Sequence, residues 1–549
     1  MKVLRLVMVN LIFAALCSSG QTRVSWPIGL VNITGNYGEI RPNHFHAGLD
    51  FSTGGLENLP VYAIGSGYVS RVKVSAFGYG KVVYITHPDG KLTVYAHQNR
   101  FMDTLEKFVR SEQYRQMSFE IELFPAKEQF PVKEGQIIGY SGNTGGSTGP
   151  HLHFELRDEL TEIPVNPLLY FKLIDSVKPS VNALAFYDVC ERFKTQFIRT
   201  VKVRSKNDST YADNDSIVLK HSVLGIAFSG DDKEVLNGNP NNIYEVKLFL
   251  DSSLIYHHQL NYISFDQARY VNEFSEVIDK QKFQKCFTPK AYPAEMYKQL
   301  VNSGKIELKD TLFHQVKMQF TDEAGNKTEF KFYLRCSQFR VGEAFTKTKY
   351  FVDCLNNYNY QSKNFELNLP PKTFYNDVII KIKDEILNLN RFTITPEDVN
   401  FRWPGTVKIQ LPKKFERFPG KTVLVNGGTV VNPAKTGIIN EYPLRKFGTF
   451  RLVIDSVGPE LKTKIPIKRL KTMIKKTDHL TFVITDKLSG INKYDLFVND
   501  KWVLAEYDGK SDLLTYWFDA ETPIDELRIE LKVIDKAGNN STLKLKLKR

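Results

Sequence analysis

The chain of 549 residues has only five cysteines, and no two of them stand in a Cys-x-x-Cys spacing, so neither a zinc-ribbon cluster nor a thioredoxin-type redox pair is available. Beyond residue 20 no stretch approaches the roughly 18 to 20 consecutive apolar residues that a membrane-spanning helix requires. Two common catalytic signatures are also missing, a His-Glu-x-x-His helix and a glycine-rich nucleotide loop, and the Gly-x-Ser-x-Gly spacing of Gly145-Gly-Ser-Thr-Gly149 leads into a strand signal rather than a helix, so it does not suggest a serine-hydrolase elbow. Long polar or low-complexity tracts are absent too, which excludes an extended disordered tail. The net charge of +13 is not accompanied by any nucleic-acid-binding motif, so no nucleic acid is expected as a partner.

The first twenty residues have the make-up of a secretory signal. Lys2 and Arg5 supply a positive start, Leu6 to Leu16 is apolar apart from Asn10, and small residues precede a cleavage point before Gln21. The mature chain is therefore expected to be exported to the periplasm or cell envelope, with no transmembrane segment after signal cleavage. In that oxidising setting Cys190, Cys286, Cys336 and Cys354 can pair in three ways or remain buried thiols. Nearly all the excess positive charge lies beyond residue 172, spread diffusely, as a solvated surface or as an attraction for an anionic envelope polymer.

A chain of this length is too long for one core. Residues 61–100 alternate apolar and polar positions between glycine turns, and His87-Pro-Asp-Gly90 supplies the turn of a hairpin between Lys81–Thr86 and Lys91–His97. From Asp103 to Met117 the apolar residues Leu105, Phe108, Val109 and Met117 fall at helical intervals, predicting a helical insert over about 102–131. Farther on, Ile174-Asp-Ser-Val-Lys-Pro179 recurs as Ile454-Asp-Ser-Val-Gly-Pro459, and Asp322-Glu-Ala-Gly-Asn326 recurs as Asp535-Lys-Ala-Gly-Asn539. The expected fold class is mainly β. After the signal at 1–20 comes an antiparallel β domain at 21–172. Related β-sandwiches follow at 173–340 and 454–549, with another β module at 341–453 between them.

The chemistry concentrates in the first third, in His46-Ala-Gly-Leu-Asp50, Tyr95-Ala-His97 and His151-Leu-His153-Phe-Glu155. His151 and His153 are two apart on a strand and project from one face, so both imidazoles reach one cavity. Histidine nitrogen and carboxylate oxygen in a set of three are the usual donors of a hydrolytic zinc site with one open position. Five candidates for three positions leave two imidazoles for moving a proton and stabilising an oxyanion. Glu155 shares their strand face and either orients a ligand or simply packs there. His44 belongs to the surface and His87 to the hairpin turn.

Taken in order, Asn36-Tyr-Gly-Glu-Ile-Arg41, His46-x-x-x-Asp50, Tyr95-Ala-His97 and Gly145-Gly-Ser-Thr-Gly-Pro-His151-Leu-His153-Phe-Glu155 resemble the lysostaphin-type (LytM) zinc endopeptidases, which cut peptide cross-links of bacterial peptidoglycan. The resemblance covers about residues 25–170. It implies that His46, Asp50 and His153 bind Zn2+ and that His151 and His97 are the catalytic pair, with His151 as base, although the two roles could be exchanged. Two departures bear on substrate preference: the helical insert after His97, and Gln98 where the family usually has leucine. The Asp-x-Ala-Gly-Asn turns resemble those of bacterial immunoglobulin-like modules. The function implied is that of an exported zinc metalloendopeptidase hydrolysing peptide bonds in peptidoglycan stem peptides or cross-links. The alternatives are a non-catalytic peptidoglycan-binding scaffold or regulator, and a peptidase acting on an exported protein. The expected partners are peptidoglycan and an envelope protein met through the C-terminal β modules.

Overall fold

The computed structural model describes residues 26–29, 31–171, 175–189, 195–206, 209–213, 216–233, 238–292, 295–338, 348–474, 477–519, 522–523 and 525–548. The expected signal at 1–20, Cys17, Ile174, Cys190 and the boundaries at 172/173 and 340/341 lie outside the described residues. The chain is mainly β, as its alternating texture implies. No helix among the described residues is long and apolar enough to cross a membrane.

The N-terminal domain is built on an antiparallel sheet ordered Ile33–Gly35, Leu49–Ser52, His151–Asp158, Lys91–Gln98, Lys81–Thr86, Gly67–Val74 and Ile121–Leu123. The central Lys81–Thr86 is buried along its whole length, which is why its sequence shows little alternation. The His87-Pro-Asp-Gly90 turn joins it to Lys91–Gln98, the His87 N–H donating to the Lys91 carbonyl at 2.9 Å. Gly67–Val74 is the strand on its other side. A bulge between Val69 and Arg71 shifts its phase, so that Val69 and Val72, three apart, both point into the core.

The insert is helical only over Asp103–Gln116. The Glu106 carboxylate in the first turn accepts the N–H of Phe101 at 2.9 Å, and Met117 adopts a left-handed conformation (φ 47°) that closes the last turn. The remainder of the predicted insert is a short strand, loop and turn, because Ile121–Leu123 finds an edge to pair with at Val72–Val74.

Downstream, the sheets come in pairs. A seven-stranded and a six-stranded sheet occupy residues 180–336. A four-stranded and a five-stranded sheet lie within 358–454, and two four-stranded sheets within 460–548. The recurring motifs meet in space. Asn326 donates through Nδ2 to the Asp175 carbonyl (3.3 Å) and to Asp322 Oδ2 (2.8 Å), and Asn539 does the same to Asp455 (3.0 Å) and Asp535 (2.9 Å). Each asparagine thus ties the opening motif of its module to the closing turn. Cys286, Cys336 and Cys354 are buried free thiols, the second of the two readings left open by the sequence. Each sits in an apolar core that holds it without a crosslink.

The chain folds back on itself. Buried residues of the last module, from Leu470 to Leu547, join one continuous apolar cluster with those of the N-terminal domain. The insert helix is the strut between them: Tyr114 meets Trp502 edge to face at 5.5 Å, and Arg110 pairs with Asp519 at 2.7 Å. Beside it Lys81 pairs with Glu506 at 3.1 Å. The 180–336 module grips the opposite side, where Tyr37, Ile40 and Phe45 share a cluster with Leu260, Tyr270 and Phe274.

Candidate metal centre

Register brings the candidate residues together. His151–Asp158 lies between Leu49–Ser52 and Lys91–Gln98, with His153 directly opposite Asp50 on one side and Ala96 on the other. His46 reaches the same point because the chain passes close beneath the strand at Gly48. A Cβ there would stand 2.1 Å from the Phe154 carbonyl oxygen, so only glycine fits between His46 and Asp50. His97 ends its strand in a left-handed conformation (φ 60°), its N–H donating to the Tyr79 carbonyl at 2.9 Å.

His46 Nε2, Asp50 Oδ1 and His153 Nδ1 converge. His46 Nε2 is 3.0 Å from His153 Nδ1 and 3.2 Å from Asp50 Oδ1, and the last two atoms are 2.9 Å apart. Tetrahedral donors at ~2.0–2.1 Å from zinc stand about 3.3 Å from one another, so this triangle is nearly the right size without rearrangement. The opposite nitrogen of each imidazole has its own acceptor. His46 Nδ1 donates to the Asn36 carbonyl at 2.8 Å, and His153 Nε2 donates to Glu155 Oε1 at 2.8 Å. Both rings thereby turn a lone pair toward the shared point, as a metal requires. The second oxygen of Asp50 accepts from Arg41 at 2.5 Å.

Electrostatics follow from burial and these contacts. Burial lowers the His46 pKa, although Asp50 opposes it. Burial would lower that of His153 too, but Asp50 and Glu155 lift it to about 9, so a positive charge is strongly favoured between the two carboxylates. Burial raises Glu155, yet Arg157 and His153 bring it down to about 2. Asp50 is held well below the usual carboxylate range by the three imidazoles around it, in spite of its burial. Each buried carboxylate also has a guanidinium beside it, Arg41 for Asp50 and Arg157 for Glu155.

His151 and His97 stand beside the triangle, their ring centres 4.8 Å apart. His151 Nδ1 contacts the Gly149 carbonyl (2.8 Å) and Ser147 Oγ (3.1 Å), while His97 Nδ1 contacts the Thr144 carbonyl (2.8 Å). Each therefore keeps its Nε2 lone pair free. His97 is pushed down to about 3, first by burial and then by its histidine neighbours, so it is a neutral imidazole. The glycine-rich loop is the shelf that holds both rings. It can lie there because Gly145, at φ 72°, has no Cβ to strike the backbone of Gly78 and Gly80.

All five expected residues are brought to one site. His44 stays exposed, with Nδ1 at 3.0 Å from the Pro42 carbonyl, and His87 turns away to Ser66 and Thr93. Sequence reasoning did not single out Tyr79, whose hydroxyl donates to Glu155, or the support that Asn36 and Thr144 give through their carbonyls. Backbone acceptors leave no residue-type signature.

The family model of peptidase family M23 matches residues 44–114 and 109–167, a span that contains the whole constellation. The N-terminal domain is similar to the peptidases of that family. It is 33% identical over 123 residues to the DD-carboxypeptidase/endopeptidase Mpg of Neisseria meningitidis serogroup B, a match covering 22% of each chain. It is 35% identical over 97 residues to the peptidoglycan DD-endopeptidase ShyC of Vibrio cholerae serotype O1, covering 18% of this chain and 17% of that one. Among solved structures, the catalytic domain of the antimicrobial peptidase lysostaphin from Staphylococcus simulans is similar at 27% identity and a TM-score of 0.18, over 24% of this chain and 86% of that one. The chain spans about a fifth of the length of the curated relatives it matches.

Proposed function

We propose that the protein is an exported zinc metalloendopeptidase that hydrolyses peptide bonds in peptidoglycan stem peptides or cross-links. The observation that carries this reading is the triangle of His46 Nε2, Asp50 Oδ1 and His153 Nδ1, with each imidazole's other nitrogen already committed to an acceptor. These three residues hold the metal. Zinc bound there supplies Lewis acidity and makes a water acidic near neutral pH.

The other two imidazoles supply the proton chemistry. His151, with Nε2 3.4 Å from Asp50 Oδ1, is placed to take a proton from a water beside the triangle and pass it to the leaving amine. His97, neutral and fixed by Thr144 through Nδ1, keeps Nε2 as an acceptor and is placed to hold a hydrogen of the same water, so that it assists in activating it. Burial of His46, Asp50, His97 and His153 keeps bulk water from screening these groups.

The names of the relatives, peptidoglycan DD-endopeptidase and DD-carboxypeptidase/endopeptidase, support peptidoglycan as substrate, and export follows from where that polymer lies. Retention of the full donor set favours catalysis over a purely scaffolding role. The test is digestion of purified peptidoglycan by the zinc-loaded full chain, read by mass spectrometry, beside a His151→Ala variant. New peptide ends that depend on His151 are expected; an unchanged muropeptide profile would overturn the proposal.

A further inference from the structure

Asn36 carries the carbonyl that fixes the tautomer of His46, and the same carbonyl accepts the Glu39 N–H of its own domain at 3.4 Å. It lies outside any strand, between Ile33–Gly35 and the two-residue strand Ile40–Arg41. Its side chain, 1% exposed, instead reaches into the 180–336 module. Nδ2 donates to the carbonyl of Asn242 at 2.9 Å, and Oδ1 accepts the N–H of Asn242 at 3.0 Å. This is the two-bond pairing of a strand ladder, made by a side chain across 206 residues of sequence. The Asn242 side chain completes the grip. Its Nδ2 donates to the Gly38 carbonyl at 3.0 Å, and its Oδ1 is held by Gln284 Nε2 at 2.6 Å. Between these two anchors Tyr37 is pinned as well, its hydroxyl accepting the Ile263 N–H at 2.6 Å.

We infer that the 180–336 module is part of the metal centre, with Asn36 and Asn242 acting as positioning residues for the ligand His46. The inference rests on the zinc reading proposed above. Its physical basis is that a histidine ligand binds well only when its second nitrogen is held in place; loss of such a partner typically costs about 10- to 100-fold in metal affinity. Here the partner is a backbone carbonyl whose position is set by another module, so the module acts on the metal one residue removed. Asn36 and Asn242 touch neither metal nor substrate.

The test is zinc affinity of the full chain, measured by competition with a chromophoric chelator, together with the visible spectrum of the Co2+-substituted protein. Asn36→Asp puts an acceptor against the Asn242 carbonyl, and Asn242→Ala releases Gly38 while leaving the Asn36 pairing intact. Both are expected to weaken zinc by tenfold or more and to shift the Co2+ bands. Asn272→Ala, which removes an exposed bond to Asn43 on the same interface, is expected to leave both unchanged. Folding is checked by circular dichroism, and Asn36→Ala, which removes both bonds to Asn242 but keeps the carbonyl that His46 uses, decides if Asn36→Asp does not fold. Unchanged zinc affinity and Co2+ spectra in folded variants would overturn the inference. A parent protein that binds no zinc would overturn the zinc reading beneath it.

Discussion

The Glu155 carboxylate lies 2.8 Å from Nε2 of His153, and that contact decides which ring nitrogen faces Asp50. Glu155 is itself fully buried and held by Arg157 Nε at 2.7 Å. Glu155→Gln keeps the shape but removes the charge. Zinc affinity should fall about 10- to 100-fold, and chelator competition on the purified variant measures it; an affinity equal to that of the parent would refute an orienting role.

Zinc should stabilise the fold by mass action. A ligand at a hundred times its dissociation constant adds about 2.7 kcal/mol when it binds only the native state. The melting temperature of the chelator-treated protein is therefore expected to climb with added zinc, and that of His153→Ala to stay flat. A parallel climb in both would place the binding elsewhere.

Gly48→Ala is expected to damage the site without touching a ligand. The new Cβ would sit 2.1 Å from the Phe154 carbonyl, which belongs to the strand that bears His153. Relief requires a backbone shift at a cost of about 1–3 kcal/mol or more. Urea unfolding should show that loss alongside weaker zinc binding.

The N-terminal domain and the last module should unfold together. Tyr114→Ala removes the edge-to-face contact with Trp502 and is expected to cost about 2 kcal/mol or more, splitting one calorimetric transition into two. A parent protein that already melts in separate steps at these two regions would contradict the shared core.

In the 180–336 module, Glu245 is drawn from its ordinary 4.5 to about 2, chiefly by the hydrogen bond from His257. Because the folded value is depressed, this contact stabilises the module above about pH 4.5 and is lost as the pH falls from there toward 2. Glu245→Gln should lower the urea midpoint at pH 7, and the gap to the parent should close by pH 2.5. A gap that does not change with pH would show that the carboxylate charge is not the cause.

Much of this architecture can be read from residue order because the determinants are local. The Pro-Asp-Gly turn sets the hairpin that delivers His97, and period-two spacing puts His151 and His153 on one face. The repeated Asp-x-Ala-Gly-Asn turns reveal related modules because each asparagine must satisfy a distant carbonyl as well as its own turn. The insert is overread as helix beyond Gln116, since an available sheet edge wins over a weak helical period in Ile121–Leu123. The contacts of Asn36 with Asn242 and of Tyr114 with Trp502 leave no trace in spacing. They depend on modules hundreds of residues away, and a paired asparagine looks like any other.

Lys81 and Glu506 are 425 residues apart in sequence, yet they meet at the start of a central strand in the sheet that carries His97. Closing so long a loop is slow, although its entropic cost grows only with the logarithm of length. A chain emerging from its N-terminus presents the five site residues early, but the apolar cluster beneath them gains its last members only when residues 470–547 arrive. The order of emergence therefore delays completion of the core beneath the site until residues 470–547 are made, which acts as a built-in timer.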